Sequence, residues 1–213
     1  MSAGFQRARR PEQVEVRRRA ILAAARELLA ERPVADISLR ELSCRVGLAK
    51  SNVIRYFDSR EAIFLEVLDS TWTAWLDDLD EALGEPGPAE PGFAREARVA
   101  GTIAATLTGR RVLCELLSSM APVLERNIPA EFARSFRRRA GANTERLGEL
   151  VRVRVPELPP EAARHFAGGV VVLLSGSWPA AHPTAAVAAV EQRQAFTLAE
   201  GLTNLLAGLV ARQ

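Results

Sequence analysis

"ISLRELSCRVGLAKSNVIRYFDSREAIFLEVL", residues 37–68, decides the fold. Ser38-Leu39-Arg40-Glu41 has the spacing of a capping box, in which the serine accepts from an orphan N–H and the glutamate reaches back to the cap. It predicts a short helix from about Leu39 to Arg45. Gly47 supplies a turn where a Cβ would clash. A further helix is expected from about Lys50 to Phe57. Asp58-Ser59-Arg60-Glu61 then carries a second start signal, for a long helix to about Leu83. Two short helices joined by a glycine turn form a helix-turn-helix, which needs apolar residues where the helices touch and a small residue on the first facing the second. Leu42, Val46, Leu48 and Val53 meet the first need and Ser43 the second. Val53 and Phe57 anchor the latter helix. Lys50, the sole lysine of the chain, Ser51, Asn52 and Arg55 are left facing outward as hydrogen-bond donors. A helix of that shape and chemistry fits a major groove.

The apolar periodicity is helical almost throughout, with no convincing strand alternation. Upstream, Pro11 opens a helix to about Glu31, with Val14, Ile21, Leu22, Ala25, Leu28 and Leu29 near helical spacing, and Pro33 stops it. Arg17 to Arg19 form either a solvated face or a contact to a phosphate backbone. Downstream, "GEPGPAEPG", residues 84–92, is the clearest breaker. Beyond it helices are expected at about 93–108, 110–125, 129–153, 160–178 and 184–211, with Pro122 placed to kink or split the second of these and Pro129, Pro160 and Pro183 suited to helix starts.

The net charge of +2 hides an asymmetry. Residues 1–60 hold 13 bases and 7 acids, net +6, and the remaining 153 residues hold 15 bases and 19 acids, net −4. A basic front on an acidic body points to a polyanion at one end only. Enzyme chemistry is not indicated, because no nucleophile–base pair, metal cluster or phosphate loop is present and His165 and His182 are the two histidines. No cofactor is expected and no metal. The start of the chain does not read as a signal peptide, and its longest apolar run, Phe166 to Trp178, is broken by glycine and serine and is too short for a bilayer. Cys44 and Cys114 lie far apart in sequence and read as reduced thiols, so a cytoplasmic location is expected.

Residues 37–68, in the order capped helix, glycine turn, Tyr56-Phe57 pair and "SRE" start of a long helix, resemble the DNA-binding domain of the TetR family of bacterial transcriptional regulators. The motif covers about the first 65 residues; the remainder is similar in length and helical layout. The resemblance implies an all-α fold, an N-terminal three-helix helix-turn-helix domain (residues 1–61) joined by a long fourth helix to a C-terminal helical ligand-binding and dimerisation domain (residues 62–213). It implies base or phosphate contact by Arg40, base reading by Lys50, Ser51 and Asn52, and phosphate contact by Tyr56 and Arg60. Two positions depart from the family pattern. Ile54 stands where a phosphate-bound tyrosine is common, with Arg55 as its substitute, and Ala49 stands where a serine or threonine usually caps the reading helix.

In the second domain Trp72 and Trp75, three residues apart, share a face of the fourth helix and read either as core or as one wall of a ligand cavity. Leu116, Met120, Phe136 and Trp178 are further candidates for that wall, beside Phe93, Leu117 and Phe132. The last two helices, small and apolar over residues 167–178 and lined by Val187, Val190, Phe196, Leu202, Leu205, Leu206 and Leu209, read as a homodimer surface. A two-fold dimer sets its reading helices about 34–36 Å apart, which matches a palindromic operator in double-stranded DNA. The expected function is a ligand-responsive repressor released by a small-molecule effector. A ligand-insensitive DNA-binding protein or an activator is the alternative, and an all-helical enzyme the remotest one.

Overall fold

The computed structural model describes residues 11–87, 91–183, 189 and 196–213. Nine α-helices are present among them: α1 Pro11–Glu31, α2 Leu39–Arg45, α3 Lys50–Ile54, α4 Arg60–Leu83, α5 Ala94–Thr108, α6 Arg111–Met120, α7 Ala130–Arg154, α8 Pro160–Ala181 and α9 Leu198–Val210. Short 3-10 turns at Val34–Asp36 and Leu124–Asn127 link α1 to α2 and α6 to α7. The fold is all-α, as the periodicity predicts.

The local start signals operate as chemistry. Ser38 accepts from the Glu41 N–H, and the Glu41 carboxylate accepts from the Ser38 N–H at 3.0 Å. Ser59 accepts from the Ala62 N–H and starts α4. Gly47 adopts φ +65°, a left-handed conformation that L side chains rarely enter. The Leu48 N–H behind it returns to the Ser43 carbonyl at 3.0 Å, closing the turn.

Several helix ends differ from the periodicity. α3 stops at Ile54, three residues early, and Tyr56 and Phe57 follow in a turn whose N–H groups reach the Val53 carbonyl. α6 ends at Met120, and Pro122 separates it from the second 3-10 turn, so the expected helix is split there. α8 runs past Trp178 to Ala181 with Pro179 inside its last turn. The final helix starts at Leu198, not near Pro183, because Thr197 and Glu200 form a capping box that fixes its first turn. Phe196 therefore precedes the helix it was expected to line and lays its ring over Gly201, where a Cβ would sit 2.3 Å from Cζ. Val187 and Val190 lie outside the described residues.

One apolar core runs through the molecule. Ile21, Ala25, Leu28, Leu42, Val53 and Phe57 pack beneath the helix-turn-helix and meet Ile63, Phe64 and Leu68 of α4. Farther along α4, Trp72, Trp75, Leu76 and Leu79 are buried in the body. α7 runs beside α4 in the same direction, as the ion pairs Asp69–Arg139, Asp77–Arg146 and Asp80–Arg154 show by their order. Arg154 also donates to the Gly84 carbonyl at 2.7 Å and so holds the carbonyl end of α4, where a cation is favoured. α9 closes on α8 at Gly169, whose Cβ would fall 2.4 Å from a Leu205 methyl.

Glu41 reports the state of the capping box. Its carboxyl lies below the usual carboxylate value, chiefly through the hydrogen bonds from the Ser38 backbone and hydroxyl, with Arg32 adding to them. A carboxyl with a lowered folded-state pKa stabilises fully above its unfolded value and loses that contribution as pH falls through the folded one. Ser38→Ala is expected to lower Tm at pH 7 by about 2–4 °C, the size of a lost cap in a chain of this length. Melts followed by circular dichroism at pH 7 and pH 4 check this. The variant should show a smaller fall between the two pH values than the parent.

Candidate nucleic-acid interface and effector cavity

Burial sorts the residues of the turn and reading helix into two sets. Val53 and Phe57 are buried, at 0% and 3% exposure, while Lys50, Ser51, Ile54 and Arg55 are exposed and Asn52 and Tyr56 half-buried. Arg40 projects from α2 and is exposed as well. Arg40, Lys50 and Arg55 enter no ion pair among the described residues, which leaves three cations and two polar side chains open to an outside partner. Ser43 is buried and turns its hydroxyl onto the Arg40 carbonyl at 2.8 Å, so no polar atom is stranded where α2 and α3 meet. Ala49 occupies the cap position of α3 with no side-chain acceptor.

Other basic residues of the head are committed internally. Arg18 donates to both carboxylate oxygens of Glu66 at 2.6 Å and to the Tyr56 carbonyl, with its guanidinium 4.2 Å above the Phe57 ring. It thus ties α1 to α4 and to the turn that follows α3. Within the run Arg17 to Arg19, Arg18 is the residue on the face of Ile21, Ala25 and Leu28, a register that marks it for an inward role. Arg60 donates to the Ile37 carbonyl at 2.7 Å and to Glu61 at 3.0 Å. It therefore braces the segment before α2 against the head of α4. Arg45 pairs with Glu27 and Glu31 on α1. Tyr56 lines a shallow cleft with Glu12, Gln13, Val16 and Arg17 of α1.

A cavity of about 560 Å³ lies between α5, the start of α6, the end of α8 and the start of α9. Of the six residues expected to wall a ligand site, Trp178 lines it. Trp72, Trp75, Leu116 and Phe136 are buried in the core, and Met120 is half-buried against it. Trp75 donates its indole N–H to Thr106 at 3.0 Å, whereas Trp72 Nε1 is buried with no partner among the described residues. The cavity exists because small residues face one another: Gly101, Ala104 and Ala105 on α5, Ala181 on α8 and Ala199 on α9. Its hydroxyl groups are turned back onto their own helices, Thr108 to the Ala104 carbonyl and Ser177 to the Leu174 carbonyl. Burial pushes the Cys114 thiol up to about 12, so it stays protonated and neutral at physiological pH. Trp178 and His182 stack with centroids 3.8 Å apart and planes at 28°.

Residues 21–67 match the family described as bacterial regulatory proteins, tetR family, and residues 69–213 match the tetracyclin repressor-like C-terminal domain. The chain belongs to the TetR family of transcriptional regulators. Against EthR of Mycobacterium tuberculosis, an HTH-type transcriptional regulator, it is 46% identical over 50 residues, which are 24% of this chain and 23% of that one. The chain thus aligns with under a quarter of the length of the curated relatives it matches. A putative TetR-family regulator from Mesorhizobium loti superposes over 94% of this chain and 96% of its own, with a TM-score of 0.56 and 17% identity. FadR of Bacillus subtilis, solved in complex with stearoyl-CoA, covers 89% of this chain and 98% of its own, again with a TM-score of 0.56 and 17% identity. These TetR-family structures share the fold, helix-turn-helix and helical body together. Among the described residues no helix is long and apolar enough to cross a membrane, and no group of three or more His, Cys, Asp or Glu is gathered to hold a metal.

The two thiols differ in access: Cys44 is exposed and Cys114 is buried. One equivalent of a maleimide is expected to react per native chain at pH 7.5, and a second only after unfolding. Intact-mass spectrometry counts them.

Proposed function

We propose that this TetR-family regulator is a repressor that binds a palindromic operator as a homodimer and is released by a small molecule. The observation that carries the reading is the uncommitted set on the head: Arg40, Lys50, Ser51, Asn52 and Arg55 on one surface, held by a glycine turn and by buried Val53 and Phe57. Lys50, Ser51 and Asn52 reach base edges, Arg40 meets a base or a phosphate, and Arg55 and Tyr56 meet phosphates. Arg60, held by the Ile37 carbonyl and Glu61, braces the head of α4 beneath this surface. In this reading residues 1–61 form the DNA-binding unit and residues 62–213 the effector and dimerisation unit, in a cytoplasmic protein.

The dimer forms through the last two helices, with α8 supplying the open face, since Leu202, Leu206 and Leu209 of α9, expected on that surface, are buried in the chain's own core. Val172 on α8 is 71% exposed, beside Gly168 and Gly176 on the same face, which suits close approach of a second copy. The effector occupies the cavity beside Trp178. The side chains that line it among the described residues hold no Asp, Glu, Lys or Arg, and its thiol is neutral. An uncharged, largely apolar molecule with a flat face for the indole fits this lining, which offers an ion no Asp, Glu, Lys or Arg as partner among the described residues. Trp72, Trp75, Leu116, Met120 and Phe136 belong to the core and not to this lining. Release requires unequal affinity of the effector for the DNA-bound and free states, and a tenfold effect corresponds to about 1.4 kcal/mol of coupling.

Random-site selection of duplexes tests the reading, and an inverted repeat with half-sites about one helical turn apart is expected. Affinity should fall with salt by about 0.9 log units per log unit for each phosphate neutralised. Lys50→Ala and Asn52→Ala should relax preference at particular base pairs, each by about 1–3 kcal/mol, whereas Arg55→Ala should weaken all sequences alike and flatten the salt slope by about one contact. Competition by fluorescence anisotropy measures both. A salt-independent affinity, or no enriched sequence, sinks the proposal. For the cavity, Nile red, a neutral dye, is expected to bind the chain, and Ala104→Phe to weaken it by at least about tenfold.

A further inference from the structure

We infer that Glu115 is a positioning residue that transmits the state of the cavity to the helix-turn-helix; the inference rests on reading the cavity as an effector site. Glu115 lies on α6, half-buried, and its two carboxylate oxygens serve different parts of the molecule. Oε2 accepts the indole N–H of Trp178, the aromatic wall of the cavity, at 3.3 Å. Oε1 accepts the backbone N–H of Val34 at 3.1 Å. Among the described residues it is the one side chain bonded both to the cavity wall and to the head.

Val34 opens the 3-10 turn between α1 and α2, and its side chain is fully buried. The first N–H groups of a helical turn have no partner within it, so Glu115 supplies what the turn lacks. Three residues on, the Ile37 carbonyl is held by Arg60, and the next residue, Ser38, caps α2. The connection that sets the entry angle of α2 is therefore pinned twice, once by the body through Glu115 and once by the head of α4 through Arg60. A ligand seated against the indole displaces the Trp178 N–H from Oε2. The carboxylate follows the indole and draws on Val34, and the start of α2, which carries Arg40 and supports the reading helix, shifts with it.

Two substitutions in the full-length protein isolate the device. Trp178→Phe keeps a flat ring against His182 and removes the N–H. Glu115→Gln keeps the shape and one acceptor oxygen but offers the second donor an amide nitrogen that cannot accept. Amide exchange at Val34, resolved by fragmentation mass spectrometry, is the primary readout, with affinity for the selected duplex beside it. Trp178→Phe is expected to speed exchange at Val34 by about tenfold or more, as a local opening with no matching fall in Tm. Glu115→Gln should also speed it, and the double variant should add little to either single one, as members of one network do. Saturating Nile red should speed exchange at Val34 in the parent chain and leave it unchanged in Glu115→Gln. Additive effects of the two substitutions, or exchange at Val34 that ignores Trp178→Phe and the dye while duplex binding persists, overturn the proposal alone. A parent chain that retains no duplex overturns the regulatory reading, and the proposal falls with it.

Discussion

The apolar stripe of α4 is the constraint on which the two halves of the molecule depend. Ile63, Phe64 and Leu68 close the core of the head, and Trp72, Trp75 and Leu79, one to three turns later on the same rod, close the core of the body. α4 packs against α1 at one end and against α5, α6 and α7 along the rest. Fully buried side chains resist displacement because packed interiors do not deform smoothly. The head is thus carried by the body as a rigid extension. Any change in its angle must arise where packing is thin and polar contacts set the geometry, at the ends of α4 and in the connection between α1 and α2.

The charges of the head divide along the same line. Arg18, Arg32, Arg45 and Arg60 neutralise acids or carbonyls of the head itself. For Arg18 and Arg60 the contribution is to shape: a partly buried guanidinium with several acceptors fixes the distance between elements in a way that an exposed pair such as Arg45–Glu27 does not. Arg40, Lys50 and Arg55 are left to act outward. A basic front end is therefore two populations with different tasks, and a count of charges along the sequence cannot part them. The register of each arginine relative to the apolar face does part them, as Arg18 shows by sharing the face of Ile21 and Ala25.

What was legible in the sequence is what is local. The Ser38 box, the Gly47 turn and the Ser59 start each depend on three or four consecutive residues, and each stands where its spacing puts it. The "TLAE" stretch at residues 197–200 carries the same kind of signal, yet the apolar spacing of residues 187–209 outweighs it in a reading by periodicity, and the last helix comes out too long. The early end of α3 has no local sign, since the turn after it is held by Arg18, 38 residues away. The cavity is hardest of all to foresee. Large apolar residues advertise themselves, but a void is made by small ones, and Ala104, Ala181 and Ala199 share nothing in sequence. The tryptophans that look most suited to a ligand have a core to fill. Trp178 is left at the cavity because α8 carries it past Gly168, Gly169 and Gly176 into a region where α5 and α9 offer little bulk.

That placement also explains why a carboxylate is tolerated on α6 between two apolar layers. Leu116 and Leu117, its neighbours, are buried, and so is Cys114 on its other side. An acid there is costly unless its oxygens are hydrogen-bonded. Glu115 meets the requirement with one donor from each side, an indole from the body and an amide from the head. Replacing it with a leucine would suit the surroundings and strand both donors. The two donors are held by the two oxygens of one planar carboxylate, so a movement of the indole that drags that group is carried to the amide. An apolar core couples its parts by volume, over many contacts at once. A shared acceptor couples two chosen groups, and here one of them faces a cavity while the other starts the turn into α2.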